Sequence, residues 1–216
     1  MNEEDITKIF EKLIKIRNVL KNKKDNEINP IYLKLDPVKP YLGKLDIKIV
    51  IIGQDPTVKK HKSREKIKFT LNLDKKGVLK NYVEKIISVD NVYATNLFKY
   101  FYTCPPADTI EILNYHLNEN IQLLQQELNY FPNLPIITFG EPVLKLISKK
   151  PEKDMKYYWN YKNNSSGYKF CEKEDSKINR IFFPFPHQPT IARNGFYKDN
   201  LENFIKFFFD NLKNIL

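Results

Sequence analysis

Cysteine is scarce in this chain: Cys104 and Cys171 are the only two among 216 residues. Two thiols cannot build a disulfide scaffold, and without C-x-x-C spacing they form no zinc or iron–sulfur motif. Long apolar runs are missing as well; none approaches the ~20 residues that cross a bilayer. The opening MNEEDITKIF is acidic and soon amphipathic, unlike a secretory leader. No internal repeat and no linker-like stretch divides the chain. These absences point to one domain over residues 1–216, with no metal, cofactor or membrane partner, in a cytoplasmic setting. No heptad pattern signals assembly, so a monomer is expected.

The composition that remains is that of a folded protein. Hydrophobic residues make up 42% and aromatics 13%, enough apolar surface to bury a sizeable core. The formal net charge is +10 and the isoelectric point about 9.3, which points to polyanions, nucleic acid foremost. Codon usage is a competing source of that charge, since Lys, Asn and Ile share A/T-rich codons.

Apolar periodicity then sets the architecture. Ile6, Ile9, Phe10, Leu13, Ile16 and Leu20 recur at helical spacing, so 1–28 reads as an N-terminal helical segment. Prolines from NPIY to KPYLGK exclude helix over the next stretch. IKIVII at 47–52 is a buried strand, followed by a turn, GQDPTV at 53–58, and a basic loop, KKHKSREK at 59–66. IKFTLNL at 67–73 reads as short and extended, and 77–89 as a helix. NVYATNLF at 91–98 is a second strand. CPPADT breaks the chain, and Asp108 or Thr109 is placed to cap a long helix through Leu128. LPIITFG at 134–140 is a third strand, with Pro142 opening the helix behind it. Residues 151–180 are polar and read as an insertion. NRIFFPFP at 179–186 is a fourth strand, and 199–212 a closing helix. Strands alternating with helices imply α/β: a three-layer α/β/α sandwich around a four-stranded, mainly parallel sheet.

In such a sheet ligands bind beyond the carboxyl ends of the strands. The loops after Gly53, Asn96, Gly140 and Pro186 should therefore share one edge. Four side chains there carry chemistry. Asp55 follows a strand-ending glycine and precedes a proline; an Asx turn would give the same pattern. His187 stands between two prolines just past a strand. Asn96 ends a strand with an amide that both donates and accepts. Phe69 lies fourteen residues beyond Asp55 and is otherwise an ordinary core aromatic.

Taken in order, GQDP, the Phe of KFTL, GVLKNYVEKI, the Asn of YATNLF, ITFGEP and FPHQPTIARNGF resemble the uracil-DNA glycosylase superfamily. The resemblance runs from about residue 30 to the C-terminus and is nearest the classical uracil-DNA glycosylase. It implies hydrolysis of the N-glycosidic bond of uracil, or a related base, flipped out of DNA in base excision repair. By that resemblance Asp55 orients water and stabilises cationic charge on the sugar, and His187 donates to the departing base. Asn96 reads the base edge, Phe69 stacks on it, and Gln54 offers backbone N–H to a carbonyl. Ile191, four residues past the His, matches the wedge that fills the gap in the duplex. Arg193, Lys198 and the basic 59–66 loop are candidates to grip phosphates, with Thr190 able to substitute from the position after Pro189. Three departures stand out. Thr57 replaces a Tyr that shields against C5 substituents, Val58 replaces a His, and Pro189 replaces a phosphate-binding Ser. A roomier pocket and a weaker grip on DNA are expected from them.

Overall fold

The computed structural model describes residues 3–21, 31–106, 111–161 and 167–212. The N-terminal helix α1 (Glu3–Lys21) buries Ile9 and Leu13 against Leu123 of α5 (Leu117–Leu128), with Phe10 and Ile16 at the rim. Strand β1 (Tyr41–Leu42) is followed by β2 (Ile49–Gly53), a short α2 (His61–Arg64) and α3 (Val78–Ile86). Next come β3 (Val92–Asn96), α4 (Glu111–Tyr115), α5, β4 (Ile136–Phe139) and α6 (Glu141–Ile147). α7 (Met155–Tyr158), β5 (Phe183–Phe185), α8 (Gln188–Arg193), α9 (Gly195–Asp199) and α10 (Leu201–Asn211) complete the described chain.

The sheet has five strands, not the four expected, in the order β1-β3-β2-β4-β5. The four longer strands are the anticipated parallel ones. The extra strand is the two-residue β1, which pairs antiparallel with β3 from within the proline-rich stretch. Every residue of β2, β3, β4 and β5 is buried, so both faces of the sheet are covered. This explains their continuous apolar runs in place of alternation. Registers of Gly53 with Asn96, Ile52 with Thr138 and Phe139 with Phe185 align the carboxyl ends along one edge.

Three local readings change. The long helix is two helices among the described residues, interrupted at His116. The imidazole stacks on Tyr102 (5.8 Å, 11°) with Nδ1 2.9 Å from the phenol oxygen, while the His116 carbonyl accepts from Asn120 Nδ2 at 2.6 Å. The proposed cap at Asp108 or Thr109 lies outside the described residues. Residues 67–73 are not simply extended: a 3-10 turn spans Thr70–Asn72, with Leu71 and Asn72 at φ 58° and 52°. The polar 151–180 stretch also contributes to the core. Trp159 is fully buried, stacks on Phe204 at 4.1 Å and donates its indole N–H to the Pro184 carbonyl at 2.8 Å.

Candidate active site

A cavity of about 300 Å³ opens at the aligned strand ends. Its wall includes Gln54, Asp55, Thr57, Leu71, Phe139 and His187, closed off by Gly53, Gly140, Pro142, Pro105 and Pro106. Asp55, from the loop after β2, and His187, from the loop after β5, thus face one space although 132 positions separate them in sequence (187 minus 55). No stretch of helix could bring them together; parallel strands meeting at one edge do.

The Asp55 loop is tied down at several points. Thr57 N–H donates to Asp55 Oδ1 at 2.7 Å, so the Asx turn and the cavity carboxylate are the same feature. Thr57 Oγ1 accepts from Tyr102 N–H at 2.8 Å. Arg64, read from sequence as part of a phosphate-gripping loop, is buried and faces inward. Its Nε, Nη1 and Nη2 donate to the carbonyls of Val58, Tyr102 and Thr103. Lys59, Lys60, His61 and Lys62 remain exposed on that loop.

Electrostatics follows from this packing. Desolvation pushes the Asp55 carboxyl up to about 6. The Thr57 hydroxyl and amide, and then the Arg64 charge, hold it below where burial alone would put it. Gln54 adds a weaker pull in that direction through its side-chain amide, whose Nε2 is buried but not in good hydrogen-bond geometry. His187 is exposed at the mouth of the cavity, yet the wall behind it removes water from one side and lowers its pKa. At pH 7 the pair is therefore a mostly ionised carboxylate and a neutral imidazole.

The His187 side is equally constrained. Tyr82 of α3 donates to the Pro186 carbonyl at 3.2 Å, fixing the end of β5. His187 precedes α8, and its carbonyl accepts from Thr190 N–H (2.8 Å) and Ile191 N–H (3.2 Å). Gly140, at φ 94°, occupies backbone space that favours glycine, and a Cβ there would stand 3.6 Å from His187 Cβ.

Asn96 is buried at the end of β3, and its Oδ1 has no hydrogen-bond partner. That oxygen rests against Gly53, where a Cβ would fall 2.5 Å from it, so glycine is required for the approach. Behind it, the Asn96 carbonyl accepts from Lys99 Nζ at 3.0 Å. Lys99 pairs with Glu127, which also accepts from Tyr93 Oη and Thr95 Oγ1 at 2.7 Å each. All four of these side chains are buried.

Three sequence expectations meet a different geometry, the first being Asn96, which lies behind Gly53 and is not part of the cavity wall. Phe69 is absent from the cavity wall. It lies in a neighbouring groove with Phe10 and Phe101, its ring edge-on to Tyr41 at 6.4 Å. The backbone is extended at Phe69 and turns left-handed two residues later, which sends Leu71 to the cavity in its place. Ile191 is only 9% exposed, on the side of α8 that faces Val78, Tyr82 and Leu201. As folded it is no projecting wedge, because α8 forms where a loop was expected. Thr190, Ala192 and Arg193 of α8, and Lys198 of α9, are the exposed side chains there.

The reading from sequence missed Leu71, Pro105 and Pro106. The prolines gave a usable signal, a Pro-Pro pair just beyond a strand whose end was already assigned to the site. Among the described residues no three His, Cys, Asp or Glu side chains gather as metal ligands, and no helix is long and apolar enough to cross a membrane. No curated protein matches the chain. Residues 40–212 match the model of one family, the Uracil DNA glycosylase superfamily.

Proposed function

Since the chain belongs to the uracil-DNA glycosylase superfamily, we propose that it is a monofunctional DNA glycosylase that hydrolyses the N-glycosidic bond of uracil, or a closely related base, in base excision repair. The observation that supports this reading best is the pairing of Asp55 and His187 across one 300 Å³ cavity. A single flipped-out base, not a duplex, fits such a space.

The chemistry divides between the two side chains. As the C1′–N bond breaks, positive charge grows on the sugar and negative charge on the base. Ionised Asp55 stabilises the first and takes a proton from the water that forms the new C1′–O bond. Neutral His187 donates a hydrogen bond to the second, and the departing base acquires a proton from solvent. Asn96 and Gln54 supply buried amide groups, Oδ1 and Nε2, suited to a base edge. Thr57 borders the cavity with a small side chain and leaves room beside C5 of a pyrimidine. Phe69 takes a stacking role only if its turn rearranges. Thr190, Arg193 and Lys198 form the exposed rim that meets phosphates, and no lysine nucleophile is assigned, so strand cleavage is not expected.

One observation favours a second reading, a glycosylase fold that binds DNA with little catalysis: Ile191 is buried where an inserting wedge would project. Single-turnover release from oligonucleotides carrying uracil, thymine opposite guanine, or hypoxanthine separates the two. Uracil release at a rate independent of EDTA supports the enzyme. DNA retained with every base intact supports the binding module.

A further inference from the structure

We infer that Leu71 is a specificity-determining residue of this cavity: it covers the Asn96 amide, and a base is read only when that cover withdraws. The inference takes from the glycosylase reading the identity of the ligand, a pyrimidine base, and nothing else.

Three observations converge on it. First, Asn96 is 1% exposed and its Oδ1 has no partner, although Gly53 and Leu71, its neighbours on the cavity side, both line the cavity. An unsatisfied buried amide oxygen is costly unless something is meant to meet it. Second, Leu71 bears on the same spot. A Cβ placed on Gly53 would fall 2.5 Å from Asn96 Oδ1 and 2.8 Å from Leu71 Cδ2, so the leucine methyl and the amide share the one glycine face. Third, Leu71 holds this place with a left-handed backbone, φ 58° and ψ 8°, that non-glycine residues rarely adopt. Asn72 follows at φ 52°. Two successive left-handed residues mark a segment that gains by relaxing, and such strain gathers at sites that move.

An opening of 70–72 removes the methyl from over Asn96, relieves the backbone, and exposes an acceptor for a ring N–H. The pocket then discriminates twice. A base must be able to displace Leu71, and it must offer a donor to Oδ1. The population tax of the covered state lowers affinity in the wild type.

The test uses Leu71→Ala, with Leu71→Gly as the variant that accepts the left-handed backbone without strain. Two quantities are measured on the full chain. Hydrogen exchange of the Asn96 side-chain amide, read by NMR without ligand, should accelerate about tenfold or more in both variants. Free uracil should bind tighter by a similar factor, about tenfold, because affinity and exchange both scale with the fraction of the protein in which Asn96 is uncovered. Unchanged exchange, or weaker uracil binding, overturns the inference, the latter because Leu71 would then be a wall that the base packs against. Faster exchange in a protein that neither binds uracil nor releases it from DNA upholds Leu71 as the cover and removes the glycosylase reading.

Discussion

Replacing Asp55 by Asn should make the protein more stable at neutral pH while abolishing its chemistry. Desolvation raises the Asp55 carboxyl from an ordinary 3.8 to about 6. The folded state therefore holds this proton more tightly than the unfolded chain does. The ionised side chain opposes folding, by an amount that is zero below about pH 4, grows between about 4 and 6, and is constant above. A shift of about two units at about 1.4 kcal/mol each sets a ceiling near 3 kcal/mol. Water reaching the half-buried carboxylate through the cavity mouth reduces this, and about 1–3 kcal/mol is the working range. Asn is nearly isosteric and keeps an oxygen for the Thr57 amide, so the hydrogen bond at 2.7 Å survives. Urea unfolding of both proteins at pH 4.5 and pH 8 isolates the effect. The variant should match the wild type to within about 1 kcal/mol at the lower pH and exceed it at the higher. Equal stability at both, or a variant weaker at pH 8, would show that Asp55 is not a strained ion in the folded state.

The other expectations concern the same site and its supports. On the glycosylase reading, in which Asp55 acts ionised, the single-turnover rate should rise with pH through about 6 and level off above it; the pH–rate profile reads this directly. His187→Ala should slow base release about 10²–10³-fold with the fold intact by circular dichroism, the usual loss when one aimed donor is removed. Lys99→Met leaves Glu127 buried without its cation and should cost about 3–5 kcal/mol in chemical denaturation. Thr57→Val removes the acceptor for Tyr102 N–H and should cost about 1–3 kcal/mol by the same method.

Strand ends were legible in the sequence because Gly53, Asn96 and Gly140 punctuate apolar β-branched runs. A parallel sheet then gathers Asp55 and His187 whatever their separation. Side-chain direction beyond the strand ends was less legible. Phe69 and Leu71 are both apolar and two apart, and only a left-handed φ at Leu71 decides which faces the cavity. That dihedral has no signature in a stretch without glycine. Ile191 was legible as an apolar residue four past His187 but not as a buried one. The prolines on both sides of His187 read as a loop; Pro189 instead sits in the first turn of α8, where its missing N–H is harmless. Arg64 looked like one more cation in a basic loop. Its burial depends on the Tyr102 and Thr103 carbonyls, which the segment after β3 delivers from almost forty residues away.

The most direct test of the glycosylase reading is single-turnover release of uracil from a single-stranded oligonucleotide by wild type and Asp55→Asn, run side by side at pH 8 with EDTA present. Uracil release by the wild type, lost in a variant that still folds and still binds the oligonucleotide, is the expected result. Equal release by both proteins would contradict the role assigned to Asp55, and no release by either would contradict the enzyme.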